Sequence, residues 1–203
     1  MTGERDEHWD GVYQTKAGDE VSWFQTEPTT SLRLLLEVDP APTSVIDVGA
    51  GASRLAATLV GAGIADVTVL DVSAAALEQV RALLPELPTD AFVIADVTGW
   101  TPTRTWGAWH DRAVFHFLID AADRAAYVAA ARAALDPGAV AVVGTFAADG
   151  PEQCSGLPTA RYDATELAAA FGDGFVLEHA EREIHRTPSG GEQAFTWVVL
   201  RRT

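Results

Sequence analysis

The chain is expected to be α/β, with seven strands in one mostly parallel sheet, helices on both faces and an antiparallel hairpin at the C-terminal end. Three observations predict this. From Pro40 onward, short apolar runs alternate with helix-compatible stretches, the pattern of a parallel sheet covered by helices. The first three runs end at or beside an aspartate, Asp47, Asp71 and Asp96. The last two, 175–184 and 194–201, flank Pro188-Ser-Gly-Gly191, a turn that folds adjacent strands back on each other.

Residues 1–27 are polar and aromatic, with Trp9, Tyr13, Trp23 and Phe24, and are expected to form no regular element. They either staple the terminus to the core or form a lid. Pro28 opens a helix over 29–38, with Leu32, Leu35 and Leu36 on one side, and proline suits the start of a helix. Segment 1–38 is expected to be a lid and helix within the same domain as 39–203. A strand over 44–49 leads through Gly49-Ala-Gly51 into a helix over 53–62. The turn Gly61-Ala-Gly63 precedes a strand over 66–71, and Ser73 or Asp71 can cap the next helix, 74–84. Strands over 91–96 and 109–115 follow, then an alanine-rich helix over 121–135. Asp136-Pro-Gly138 stops that helix before a strand over 139–146, and a helix over 164–171 precedes the hairpin.

Composition narrows the function. At 203 residues and 48% hydrophobic, the chain suits one domain with a sizeable core. The sequence shows no charged leader and no run of about 20 apolar residues, so a cytoplasmic enzyme with no membrane partner is expected. One cysteine, Cys154, excludes an internal disulfide, and the five histidines lack metal-ligand spacing, so no metal is expected. Twenty-nine acidic against 14 basic residues give a formal charge of −15, a field that repels phosphate backbones. Nucleic acid is not an expected partner.

The cofactor signal is in Ser44-Val-Ile-Asp-Val-Gly-Ala-Gly-Ala-Ser-Arg54. Gly49 and Gly51 allow backbone to approach a ligand closely, and the helix beginning near Ser53 would aim its N-terminus at it. A dinucleotide fingerprint wants a third glycine where Arg54 stands, whereas Asp47 two residues before the first glycine suits a zwitterionic, sulfonium-bearing ligand. Both departures point to S-adenosylmethionine (SAM). Asp71, about 20 residues beyond the glycine turn, is at the spacing of a ribose-binding carboxylate, and Asp96 suits the adenine amino group.

Together, Asp47-Val-Gly-Ala-Gly51, Asp71-Val72 and Asp96-Val97 resemble the successive SAM-binding motifs of the class I methyltransferases, whose fold is Rossmann-like. Gly-Ala-Gly-Ala-Ser-Arg-Leu55, Val69-Leu-Asp-Val-Ser73, His8-Trp-Asp-Gly-Val-Tyr13 and Ser22-Trp-Phe24 are similar to the branch of elongation-factor and citrate-synthase lysine methyltransferases. Trp109-His-Asp-Arg-Ala-Val-Phe-His-Phe117 and Pro151-Glu-Gln-Cys-Ser-Gly-Leu-Pro158 look more like an uncharacterised bacterial group. The resemblance implies that Trp9, Asp10 and Tyr13 close over the cofactor.

The ligand of a doubly wound sheet binds beyond the carboxyl ends of its strands, so the fourth strand matters most. Alternation sends His110 and Arg112 to one face and Asp111 to the other. His116 or His110 is expected to act as base or orienting group at the acceptor pocket, with Asp111 the acid beside them. Arg112, Arg161, Tyr162 and His185 are the expected substrate contacts. A structural role competes for each histidine, and Cys154 suits a small filler. The acceptor is read as a small molecule (a thiol, an amine or another metabolite), with a lysine of a basic protein as the alternative. A NAD-dependent Rossmann oxidoreductase ranks lower, since no Tyr-x-x-x-Lys pair is present. A non-catalytic SAM binder is the third reading.

Overall fold

The structure is a computed structural model that describes residues 2–15, 20–39 and 42–203. Lys16 and Pro40 lie outside the described residues. Seven strands form one sheet in the order β3-β2-β1-β4-β5-β9-β8: β1 (Val45–Val48), β2 (Val67–Asp71), β3 (Phe92–Ile94), β4 (Trp106–Arg112), β5 (Leu135–Phe146), β8 (Phe175–Arg186) and β9 (Glu192–Arg202). The first five pair in parallel, while β9 runs antiparallel to both β5 and β8. The expected fold class holds, including the C-terminal hairpin. A separate two-stranded ribbon, β6 (Gln153–Cys154) with β7 (Leu157–Pro158), organises the loop after β5.

Every residue of β1 and β2 is buried, which requires continuous apolar runs because both faces of a parallel sheet are covered. On one face, α2 (Thr29–Val38), α3 (Leu55–Gly61) and α4 (Ala74–Leu83) close a core around Leu35, Leu59 and Leu77; on the other, α5 (Ala121–Ala134) and α6 (Ala164–Phe171) close one around Ile46, Trp109 and Tyr127. Ser73 caps α4 by accepting from the Ala76 amide, and Asp163 with Glu166 forms a capping box on α6.

The N-terminal segment corrects the sequence reading. Residues expected to be irregular form a helix of 14 residues, α1 (Thr2–Thr15). It lacks the broad apolar stripe by which helices are recognised, because its inward face mixes the row Arg5, Trp9 and Tyr13, spaced by four, with the polar Glu4, His8 and Asp10. Trp9 meets Trp23 and Phe117 edge-on, with centroids 5.8 and 5.1 Å apart, and Tyr13 meets Trp23 at 6.3 Å. Strand β5 also begins earlier than expected, at Leu135, with an irregularity opposite β4 between Trp106 and Ala108.

Candidate active site

The strand order reverses between β1 and β4, and the main cavity opens beyond the carboxyl ends of the strands at that point, as the topology requires. Its volume is about 440 Å³, within the range of small-molecule sites. Val48, Gly49, Asp71, Val72, Asp96 and Val97 line one side. Arg112, Val114, Phe117, Cys154, Leu157 and Pro158 line the other, beneath Trp9, Tyr13 and Trp23.

The glycine turn is built for close approach. Gly49 and Gly51 have φ of +63° and +55°, where a side chain is strained. A Cβ on Gly49 would lie 1.8 Å from Val114 Cγ2, and one on Gly51 would lie 2.2 Å from Tyr13 Oη. The space beside Gly51 thus belongs to the α1 tyrosine. Asp71 is buried behind the turn: one carboxylate oxygen accepts from Gly51 N at 2.8 Å and the other from Ser73 N at 2.8 Å. Burial pushes this carboxyl up to about 6, against the lowering effect of those amides.

Polar clamps hold α1 over the cavity. Arg5 bonds Asp96 at 2.9 Å and Thr98 at 3.1 Å, and reaches Asp123 as well. Burial works to raise the Asp96 carboxyl, but the Thr98 hydrogen bonds and the Arg5 charge hold it below its usual range. Asp10 accepts from Ser73 Oγ at 2.6 Å and from Ala75 N at 3.1 Å, placing a negative charge at the N-terminus of α4. Gln79 Nε2 donates to the Tyr13 carbonyl at 3.1 Å.

The remaining expected site residues divide. Asp47 and His110 face each other, Oδ1 to Nδ1, at 2.7 Å, and both line a smaller cavity behind the glycine turn together with Ser53, Arg54 and Arg112. Ser53 Oγ accepts from Leu55 N at 3.2 Å, so it serves the start of α3. Arg112 walls both cavities, and its Nη1 donates to the Trp23 carbonyl at 2.8 Å.

Five expected site residues need correction. Asp111 lines neither cavity; alternation turns it to the other face, where it accepts from Tyr127 Oη at 2.5 Å, Val114 N at 2.8 Å and Phe115 N at 3.0 Å. His116 also lines neither: it is 0% exposed, between Phe117 and Phe146, and its Nδ1 accepts from Phe146 N at 3.3 Å. Burial, helped by the Arg112 charge, drops this imidazole to about 3, far below a useful base. Arg161 and Tyr162 lie outside both cavities, the arginine bonded to the Gly150 carbonyl at 3.3 Å and paired with Glu152. His185 donates through Nε2 to the Ser22 carbonyl at 2.8 Å, clamping the segment that carries Trp23. Sequence reasoning missed Arg5 and Phe117; the spacing of Arg5 with Trp9 and Tyr13 was the available signal for the first.

Could the cavity hold SAM? A glycine turn that tolerates no Cβ, a buried carboxylate at the second strand's end and a carboxylate after the third all border one side, and this donor and acceptor set fits a nucleoside joined to an amino acid. Among the described residues no group of three or more His, Cys, Asp or Glu side chains is placed to hold a metal ion, and no helix is long and apolar enough to cross a membrane.

Comparison with known proteins agrees with this geometry. Residues 45–138 match the family model described as a methyltransferase domain. No curated protein matches the sequence. Among solved structures, one from work on the conversion of a disulfide bond into a thioacetal group during echinomycin biosynthesis is 22% identical, with a TM-score of 0.73, over 97% of this chain and 91% of that one. The Burkholderia thailandensis 1,6-didemethyltoxoflavin-N1-methyltransferase, with S-adenosylhomocysteine (SAH) bound, is 19% identical, with a TM-score of 0.71, over 99% and 85%. The N-methyltransferase NodS from Bradyrhizobium japonicum WM9, also with SAH, is 14% identical, with a TM-score of 0.74, over 96% and 98%. At these identities the likeness shows the fold.

Proposed function

We propose that this SAM-dependent methyltransferase passes the methyl group to a small-molecule acceptor, a thiol, an amine or another metabolite. The observation that carries the reading is the roof: α1 is clamped across the cleft by Arg5 and Asp10, over a cavity bordered by Trp9, Tyr13 and Trp23. Segment 1–38 acts in this reading as the lid. A folded protein partner would have to enter past Trp9 and Trp23. The neighbours in B. thailandensis and B. japonicum are N-methyltransferases, which favours nitrogen among the acceptor atoms.

Bound SAM supplies a methyl group on a positively charged sulfur. The chain's work is positioning and exclusion of water. Asp71 accepts hydrogen bonds from the ribose hydroxyls, Asp96 and Val97 border the adenine, and Gly49 lets the amino-acid end approach the backbone. Trp9, Phe117 and Leu157 form a dry wall around the line of attack. Asp47 and His110 support the glycine turn from behind, and His110 orients that turn rather than taking the acceptor's proton.

One observation favours the second reading, a lysine acceptor on a basic protein: Glu4 and Asp120 line the same cavity, and the chain's net charge is −15. Both readings are tested by supplying methyl-labelled SAM to the purified chain in a bacterial extract and separating protein from soluble and volatile products. Label in the soluble or volatile fraction supports the small acceptor. Label on protein transfers the assignment to the lysine reading.

A further inference from the structure

Two of the side chains lining the main cavity carry a fixed positive charge, Arg5 and Arg112. Arg5 is committed to Asp96 and Asp123. Arg112 is not paired in this way. Its Nη1 is held by the Trp23 carbonyl and its guanidinium lies 4.7 Å from the Phe195 ring centroid, but Nε and Nη2 are shielded from solvent without a partner among the described residues. Glu183, the carboxylate whose charge acts on it, spends its own oxygens on Trp197 Nε1 at 2.7 Å, Thr30 Oγ1 at 3.1 Å and Gln25 Nε2 at 3.3 Å. Donors left dry and unpaired are costly, and desolvation draws even this guanidinium down to about 10. These donors lie buried at the cavity wall, so an anion in the cavity would pair with them by drawing the guanidinium toward it.

We propose that Arg112 anchors the acceptor, and that the acceptor is a small acid with an apolar body and one carboxylate. The proposal rests on the methyltransferase reading and names its substrate class. A guanidinium fork matches a carboxylate in shape as well as charge. The cavity that Arg112 borders is also lined by Trp9, Trp23, Phe117, Leu157 and Pro158, surfaces that suit an apolar body. The position favours the acceptor over the donor: Arg112 ends β4, on the side of the cleft completed by the loop after β5, whereas Asp71 and Asp96 follow β2 and β3. With Glu4, Asp71, Asp96, Asp120 and Asp123 lining the same cavity, Arg112 can offset a single negative charge but not a polyphosphate.

The test is fluorescence titration of the SAH-saturated protein, with Trp9 and Trp23 as reporters, using phenylacetate, indole-3-acetate and octanoate, each against its neutral amide. At least one acid should bind about tenfold or more tightly than its amide. Arg112→Met should abolish that preference, and Arg112→Lys should restore part of it. SAH affinity of each variant serves as the check on folding. Acids that bind no better than amides, or a preference that survives Arg112→Met, would overturn the proposal. If Arg112→Met weakens SAH about tenfold while 5′-methylthioadenosine, which lacks the amino-acid end, binds as before, the guanidinium serves the donor's carboxylate and the proposal is wrong. Failure of the wild-type chain to bind SAH would instead remove the methyltransferase reading on which it rests.

Discussion

His110 and Asp47 are bound to each other. Nδ1 of the histidine stands 2.7 Å from Oδ1 of the aspartate, both residues are buried, and they lie opposite one another on the adjacent parallel strands β4 and β1. The acid next to the end of the first strand is therefore engaged from behind by a residue two positions before Arg112. Pairing of this kind fixes the ring, with Nδ1–H donating to the carboxylate.

Removing one partner leaves the other buried and uncompensated. His110→Ala should lower stability by about 3 kcal/mol in urea denaturation, and Asp47→Asn with His110→Ala together should cost less than the sum of the two single changes. Strict additivity would show that the pair contributes nothing as a pair.

Asp71 should make cofactor binding pH-dependent. Its carboxyl, raised to about 6 by burial, accepts on both oxygens only when ionised, because protonation turns one of them into a donor. SAH affinity should therefore be constant above about pH 7 and fall as pH drops through 6. Asp71→Asn should weaken SAH about tenfold or more at pH 8 and flatten the profile. A wild-type affinity unchanged between pH 8 and pH 5 would contradict the role.

His116 should make the fold sensitive to acid. Folded, it stays neutral down to about 3; unfolded, it takes a proton near its ordinary value of about 6.5. The unfolded state binds the extra proton between those values, so this contribution to stability is full above about pH 6.5 and is lost as pH falls, by about 1.4 kcal/mol per unit. Asp71 and Asp111, both raised to about 6, act oppositely, adding stability as pH falls from 6 toward 4. Comparing wild type with His116→Asn, which keeps an acceptor for the Phe146 amide, isolates the histidine. The wild-type curve should lose ground to the variant between pH 6.5 and 4; parallel curves would refute this. Methyl transfer by the folded variant should be nearly unchanged, because His116 lines neither of the two cavities described.

The roof should be separable from the fold. Asp10→Ala removes the acceptor for Ser73 Oγ and Ala75 N but leaves Ser73 as the α4 cap. Hydrogen exchange in residues 2–15 should quicken and SAH should dissociate several-fold faster, while the melting temperature moves by only a few degrees. Unaltered exchange in α1 would mean that Arg5 and the aromatic contacts hold it without Asp10.

The sheet was legible in the sequence because parallel strands buried on both faces must be unbroken apolar runs, and the turn at Gly49 and Gly51 announced itself through residues whose φ excludes a Cβ. The division of β4 was legible too: a period of two separates His110 and Arg112 from Asp111. Depth was not. Nothing in Phe115-His-Phe117 says that the ring lies between Phe117 and Phe146 with no exposure, because burial there depends on β5, some thirty residues later in the chain. Helix α1 escaped notice because its inward row mixes an arginine with two aromatics, and its partners Asp96, Asp123 and Phe117 are remote in sequence. Arg161 and Tyr162 were misplaced because the β6–β7 ribbon gives the cavity wall to Cys154, Leu157 and Pro158 instead.

The most direct test is a crystal structure with SAH bound. Adenosine should lie between Asp71 and Asp96, with its ribose hydroxyls within about 3 Å of the Asp71 carboxylate, its amino-acid end at Gly49, and α1 still clamped above it by Asp10. SAH bound elsewhere, or α1 displaced with Asp71 turned away from the ribose, would contradict the account.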